Sequence, residues 1–398
     1  MKSFDKWMLV LILVGISLLA LALWPKNIEF VTDDGNVLFY NSPVVDSDGA
    51  QIFIAYLKKS GKVVVKSLDE KSWLNNLGIK SDADNHSNIE ILIHDHSDLV
   101  NLAHGQTADD HATPSIIFIE NTKELLIATA YHGTDLYIYA LKNNQVKLKK
   151  KITGRYTYPR WLQLNGEILL FSRLQSKGRR NGHLVYRSSK DNFQIEKLAI
   201  KSEEGEVVYA SAPKSAQDNH VYIQYSIHSY KENRLIGWQL IKLNPSDGRT
   251  LETCDLSHLL PKKYFSNRPT GISVKGTEFL VGTAYMMMED WTLPAGNFNR
   301  VNVVSLVKGS LNAMCSSAEV VHEGIAKTPY YHTSVAISDS FDWLYFDDDK
   351  YVSNNKYTGC FSRDKFMYPF FYKNELFYVA QNTSYSIRNF SNSIFRCY

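Results

Sequence analysis

Between Asp109 and Arg187 the chain sets Asp110-His111-Ala112-Thr113-Pro114, Tyr131-His132-Gly133, Tyr156-Thr157-Tyr158-Pro159-Arg160 and Phe171-Ser172-Arg173 on successive apolar, strand-like segments. Imidazoles, phenols and a guanidinium so placed can supply a proton acceptor, a proton donor and a clamp for a carboxylate. Together they suit β-elimination on an anionic sugar: the proton on C5, beside the carboxylate, is removed and the oxygen on C4 is expelled. That proton is barely acidic while the carboxylate keeps its charge. A fixed cation must therefore neutralise the developing enolate, and arginine matches a carboxylate with two parallel hydrogen bonds. A neutral histidine is a competent base near pH 7, and positioned acid–base groups typically give about 10²–10⁴-fold.

The elements that must position these groups are strands. Short runs such as Gln51 to Leu57, Leu125 to Ala130, Glu167 to Phe171, His220 to Ser226 and Glu278 to Ala284 recur along the chain. Asp48-Gly49, Asn143-Asn144, Asn165-Gly166 and Lys275-Gly276 supply turns between them. Alternation, as in Leu136-Tyr137-Ile138-Tyr139, predicts antiparallel sheets with two different faces. Many short strands without intervening helices imply a sandwich, a barrel or a propeller. Size selects among them: seven four-stranded blades of roughly 50 residues use about 350. The predicted fold is all-β, a seven-bladed β-propeller of four-stranded antiparallel blades over residues 27–398, preceded by a membrane helix.

Residues 1–26 read as a targeting element. Lys2 and Lys6 precede an uncharged apolar run from Trp7 to Trp24, closed by Pro25 and Lys26. That length suits a membrane-spanning helix better than a signal-peptide core. Ala20-Leu21-Ala22 offers a cleavage pattern, but Leu23-Trp24 makes a poor mature start, so an uncleaved signal anchor is expected, with a signal peptide as the alternative. Either way the rest is exported to the periplasm or cell exterior. There, Cys254, Cys315, Cys360 and Cys397 permit two disulfides, and proximity suggests Cys254–Cys315 and Cys360–Cys397. No CxxC pair exists, and no metal or other cofactor is expected.

Charge is uneven. The chain is +3 overall, yet 142–187 contains twelve Lys or Arg against the single acid Glu167. Such a stripe favours a polyanion. Lys147-Leu148-Lys149-Lys150-Lys151 alone reads equally well as a lysine-guarded edge strand. An exported protein rarely meets nucleic acid, so an acidic polysaccharide is the expected partner, beside the membrane contact through residues 7–24. Nothing bears on oligomeric state. His94, His96 and His104 read as solvated loop residues.

The ordered blocks DxHxTP, YHG and YTYPR, with Gly166, Phe171-Ser172-Arg173 and Tyr186-Arg187-Ser188-Ser189-x-Asp191, resemble the BNR-4 repeat proteins, a group that includes propeller-fold ulvan lyases. The resemblance is good over residues 109–191, weaker towards Ile52 to Tyr56 upstream and Tyr209 downstream. It implies a polysaccharide lyase whose catalytic groups are His111, His132, Tyr158 and Arg173. One histidine would be the base, and the other would orient it or bind the carboxylate. Tyr158 would be the acid, unless one histidine does both jobs, and Arg173 the carboxylate neutraliser. Arg160, Arg187 and Tyr156 are candidates for binding substrate. Two departures stand out. Ala112 occupies a position where the lyases tend to have asparagine, and Phe193 replaces the glycine of the Asp-box turn S-x-D-x-G at Ser189 to Phe193. A membrane-tethered propeller that binds an acidic glycan without cleaving it is the alternative.

Overall fold

The computed structural model describes residues 27–28, 35–36, 44–47, 51–58, 60–69, 88–100, 112, 114–176, 181–287, 302–326, 335–347, 350–357, 366–372, 375–383 and 390–396. The apolar run at 7–24, the Asp48-Gly49 turn, His104, His111, Cys360 and Cys397 lie outside these. Among the described residues the structure is all-β, interrupted by three short 3-10 turns, and no helix is long and apolar enough to cross a membrane.

Strands follow one another as antiparallel meanders. β1 (Asn27–Ile28) and β2 (Gly35–Asn36) are minimal. β3 (Val44–Ser47), β4 (Gln51–Lys58), β5 (Lys62–Asp69) and β6 (Asn88–Asp95) form the first meander, with β2 also on β4. β7 (Ser115–Ile119), β8 (Glu124–Thr129), β9 (Thr134–Lys142) and the start of β10 (Gln145–Leu164) form the next. β10 serves two meanders: its first part pairs with β9, its last part with β11 (Glu167–Gln175), and Tyr156 pairs with both. β12 (Gly182–Ser188) and β13 (Lys197–Ile200) follow. A single parallel bridge, Gly182 to Val207, leads to β14 (Glu206–Ala210), β15 (Lys214–Ser215), β16 (Val221–Ser229), β17 (Arg234–Leu243) and β18 (Thr250–Asp255).

The remaining strands are β19 (Tyr264–Lys275), β20 (Glu278–Met287), β21 (Asn302–Ser310) and β22 (Glu319–Ala326), then β23 (Ala336–Ile337), β24 (Trp343–Asp347) and β25 (Lys350–Ser353). The last sheet holds β26 (Phe366–Tyr372), β27 (Glu375–Thr383) and β28 (Phe390–Arg396), and β1 completes it by pairing Asn27 with Phe395 and Ile28 with Ile394.

Both faces of a sheet are buried, each against a neighbour. In β9, Leu136, Ile138 and Ala140 pack with Ile168 and Leu170, while Tyr139 and Leu141 pack with Val63, Val65 and Ile127. Period-two alternation therefore sorts one strand between two seams. Turn chemistry matches the expectation: Asn143 and Asn144 (φ 48° and 59°) and Asn165 and Gly166 (φ 50° and 74°) all take the left-handed values of a tight hairpin. Cys254 at the end of β18 is joined to Cys315 beyond β21, tying two meanders together as expected. Lys147 to Lys151 runs along the exposed outer part of β10, where Lys149 pairs with Glu124 and Lys151 with Asp135. That run is a charged sheet edge.

The altered Asp box still makes its turn. Ser188 Oγ accepts from Lys190 N, Asp191 Oδ1 accepts from Gln194 N, and Asn192 and Phe193 take φ of 54° and 58°. The Phe193 ring is buried and meets Trp161 edge-on at 5.7 Å. Left-handed backbone at a phenylalanine costs about 1–3 kcal/mol, whereas emptying such a ring site costs about 3–5 kcal/mol. Packing thus wins over backbone ease. Phe193→Gly is expected to lower unfolding free energy, by about 2 kcal/mol as the difference of those terms; a raised urea midpoint would contradict this.

Candidate functional site

The register of β10 against β11 decides which side chains can meet. Opposed residues in an antiparallel pair share a face. Thr157 opposes Arg173 and Arg160 opposes Phe171, so one extra residue is accommodated at Tyr158-Pro159. This is a bulge, and bulges re-aim side chains. Tyr158 takes φ 54° there, an unusual value for a bulky residue. Such backbone costs about 1–3 kcal/mol and persists only where the surroundings enforce it.

The bulge brings Tyr158 to the Arg173 guanidinium, 4.7 Å from its ring centre, and Tyr209 of β14 covers it from the next meander at 5.0 Å. Arg173 is only 4% exposed, and its Nε and Nη1 have no hydrogen-bond partner among the described residues. Gly182 makes room for it: a Cβ there would lie 3.0 Å from Val207 Cγ1 and 3.3 Å from Arg173 Cδ. An open cleft of about 660 Å³, including its solvent-facing part, is lined by Tyr158, Arg160, Arg173, Tyr209, Ser211 and Arg268 together with apolar residues. No Asp or Glu is among its described lining residues. Burial lowers the Arg160 pKa to about 10, so it stays charged at neutral pH, and its Nη1 donates to the Pro159 carbonyl at 2.7 Å. The cleft is strongly cationic.

His132 occupies the β8–β9 turn. Gly133 N donates to the Tyr156 carbonyl, and the Gln175 amide lies 3.3 Å from His132 Nε2. An amide nitrogen can only donate, which leaves the proton of a neutral His132 on Nδ1. Gln175 is two residues beyond Arg173 on the same face of β11, about 7 Å along the strand. Of the four residues matched to the lyases, Tyr158 and Arg173 are therefore in contact, His132 meets Gln175, two residues along β11 from Arg173, and His111 lies outside the described residues.

Arg187 and Tyr156 are not brought to the cleft. Arg187 opposes Leu170 and Tyr156 opposes Leu174, which puts both on the other face of the sheet. There Tyr156 donates to Glu196 at 2.7 Å, and Arg187 pairs with Glu196 at 3.0 Å and donates to the Phe193 and Gln194 carbonyls. Their expected role in substrate binding is corrected to a structural one. Tyr209 and His228 are additions that the sequence reading missed. Tyr209 begins its meander as Tyr158 begins the preceding one, and that repeat was the available signal. His228 shares a face with Val207 and Tyr209, 6.1 Å from the Tyr209 ring. Burial, and then the charge of Arg173, lower its pKa.

His94 and His96 also differ from expectation. They belong to an aromatic cluster in the seam between the first two meanders, not to a solvated loop. His94 Nδ1 lies 2.6 Å from the Tyr139 hydroxyl, and His96, 1% exposed, lies 3.3 Å from Thr129 Oγ1. Among the described residues no group of three His, Cys, Asp or Glu could hold a metal ion.

Residues 51–234 match the model of the BNR repeat-containing family, as the sequence blocks suggested. Two solved structures share the fold. One is a polysaccharide lyase described as an ulvan lyase bound to -[GlcA(1-4)Rha3S]-, with TM-score 0.63 and 11% identity over 92% of this chain and 94% of that one. The other is an ulvan lyase structure of the same description without that ligand, with TM-score 0.62 and 11% identity over 94% of each chain. At such identity the likeness is one of fold, and the arrangement is propeller-like. No curated protein matches the chain in sequence.

Burial of His96, and then the nearby His94, hold the His96 pKa at about 3 against 6.5. The unfolded imidazole takes up a proton as pH falls through about 6.5 while the folded one stays neutral. Stability is therefore lost below that pH, by up to about 1.4 kcal/mol per unit, until the folded group titrates. His96→Gln is expected to flatten the fall in urea midpoint between about pH 6.5 and 4.5; an unchanged slope would contradict it.

Proposed function

We propose that this BNR-repeat protein is an exported polysaccharide lyase that cleaves a uronate-containing acidic glycan by β-elimination at the Arg173 cleft. One observation carries the reading: a buried guanidinium held between two tyrosine rings, two of whose nitrogens have no partner and whose cleft has no acid among the described residues. A buried cation left so is costly unless an anion completes it. A planar carboxylate is the anion that a guanidinium fits best. The acidic polysaccharide bound by the ulvan lyase of similar fold supports the substrate class.

In this reading Arg173 holds the uronate carboxylate and neutralises charge as the C5 proton leaves. The C5–H electrons form the C4–C5 double bond, and the C4–O bond breaks. Tyr158 protonates the departing oxygen. His132 Nε2 is engaged by Gln175, so its Nδ1–H suits the carboxylate, and the role of proton acceptor passes to His111. Arg160 adds positive potential beneath the substrate.

Counting β10 in both meanders it serves, the strands group into seven, and we read the fold as a seven-bladed propeller. Residues 1–26 act as a signal anchor that leaves the remainder facing the periplasm or cell exterior. The Cys254–Cys315 disulfide supports an oxidising compartment. A second reading, glycan binding without cleavage, is favoured by Ala112, which is wholly buried and offers no polar side chain where the lyases tend to have asparagine.

The test is ultraviolet absorbance of the unsaturated uronate when the protein meets ulvan, heparinoids, alginate, pectate and bacterial capsules. Absorbance is expected to rise with at least one. Arg173→Ala should then lower the rate by about 10²–10³-fold and Tyr158→Phe by about 10²–10⁴-fold, while Arg187→Lys leaves it unchanged. Saturable binding with no absorbance would establish the second reading, and absence of both would overturn each.

A further inference from the structure

The Arg173 cleft lies at one end of its strands, and hairpin turns gather at the other. On β11, Arg173 stands about 20 Å along the strand from Glu167, which pairs with Leu164 to close the Asn165-Gly166 turn. In the next meander Tyr209 of the cleft opposes Ser226, and the Asn219 turn lies past Val221 at the far end of the same strand. Asn165 Nδ2 donates to Asn219 Oδ1 at 2.6 Å, so these two turns share a face. Further contacts extend that face. Lys214, opposite Tyr222 near the Asn219 turn, pairs at 3.3 Å with Asp339 in the turn between β23 and β24. Lys308, which pairs with Glu278 beside the Lys275-Gly276 turn, stands 5.7 Å from the Phe341 ring of that same β23–β24 turn. Just past it, Leu344 packs with Leu376, which lies just past the turn joining β26 to β27. β1 begins at this end of the last sheet. Asn27 opposes Phe395, which opposes Tyr378, three residues from the closing pair Tyr372 and Glu375. From there β1 runs away from the turn, with Ile28 opposite Ile394 and Val379 beyond it.

We propose that this turn face, opposite the Arg173 cleft, is held against a lipid bilayer, so that the cleft opens away from the membrane. This rests on the reading of residues 1–26 as a signal anchor. Only Pro25 and Lys26 separate Trp24, the end of the apolar run, from Asn27. Three residue steps span at most about 11 Å, less than the roughly 20 Å that separates turn from cleft along a strand. A chain leaving the bilayer at Trp24 therefore reaches Asn27 only with the turn end of the last sheet close to the headgroups. The arrangement has an electrostatic consequence. Arg160, Arg173 and Arg268 line the cleft, and anionic headgroups beside them would compete with an anionic substrate. A strand length of about 20 Å exceeds two Debye lengths of about 8 Å, so the headgroup charge is screened at the cleft. The substrate then arrives from bulk solvent. A long polyanion can cross the cleft without meeting lipid, whereas the base of a glycan fixed in the same membrane is out of reach.

The experiment places the full chain in vesicles of phosphatidylethanolamine and phosphatidylglycerol that carry a rhodamine-labelled lipid in both leaflets. A fluorescent coumarin amino acid is introduced at one position per variant, and energy transfer to the rhodamine is measured. Ser340 and Lys275 are exposed on the turn face. Glu204 and Lys231 are exposed at the cleft end, beside the hydrogen bond from Tyr230 N to the Gly205 carbonyl. Transfer is expected to be about twofold or more greater from the first pair, since the two faces stand about 20 Å apart. Equal or greater transfer from Glu204 and Lys231, with the chain bound to vesicles, would overturn the orientation and leave the anchor reading intact. Recovery of the chain in the aqueous fraction, free of vesicles, would overturn the orientation together with the anchor.

Discussion

A single enclosed positive charge governs the architecture around it. Taking a guanidinium out of water costs several kcal/mol. Two ring faces return about 0.5–2 kcal/mol each, so aromatic contact alone does not offset burial. The side chain stays in place because neighbouring pieces of the fold leave it no alternative. Gly182 gives up its side chain to the stem of Arg173, Val207 closes over from the next meander, and the bulge at Tyr158-Pro159 tips a ring against the head group. Strain in the backbone and a cation incompletely satisfied among the described residues thus meet at one place.

Sheet register converts this local arrangement into a division of labour. The same hairpin, β10 and β11, carries Tyr156 and Arg187's partner strand on one side and Tyr158, Arg160 and Arg173 on the other. On the first side Arg187 is met by Glu196 and main-chain carbonyls, and the seam behaves as a structural joint. On the second, no acid is among the described residues that line the cleft. Residues three or fewer apart in sequence thus fall into opposite roles through the pleat and one inserted residue.

This explains what could be read from the sequence. Strand positions and hairpins were legible because alternation and Asn-Gly or Asn-Asn turns are local signals, and β8 falls at Glu124–Thr129 against the expected Leu125 to Ala130. The family blocks marked out Tyr158 and Arg173, which the structure places in contact. The face of each residue was not, since Tyr156 and Tyr158 differ by an even number of positions and would share a side in a regular strand. Only the register shift separates them. His94 and His96 were misread because a polar stretch gives no hint that Tyr137 and Tyr139 approach it from another meander. Tyr209 escaped for the same reason: it joins the cleft across a seam. Phe193 shows the converse, a motif broken on paper whose turn survives because the ring has somewhere to go.

The pairing of Asn27 with Phe395 places the two extremities of the described chain in one sheet. Contacts so distant along the polymer form last, since loop closure must precede any gain from pairing. Meanders made of consecutive strands can close in order, but the sheet of β26, β27 and β28 is complete only when the distant β1 joins it. Until that latch forms, β28 presents an open edge of the kind that invites pairing with other chains. Completion of the fold is therefore tied to the meeting of β1 and β28, strands far apart along the described chain.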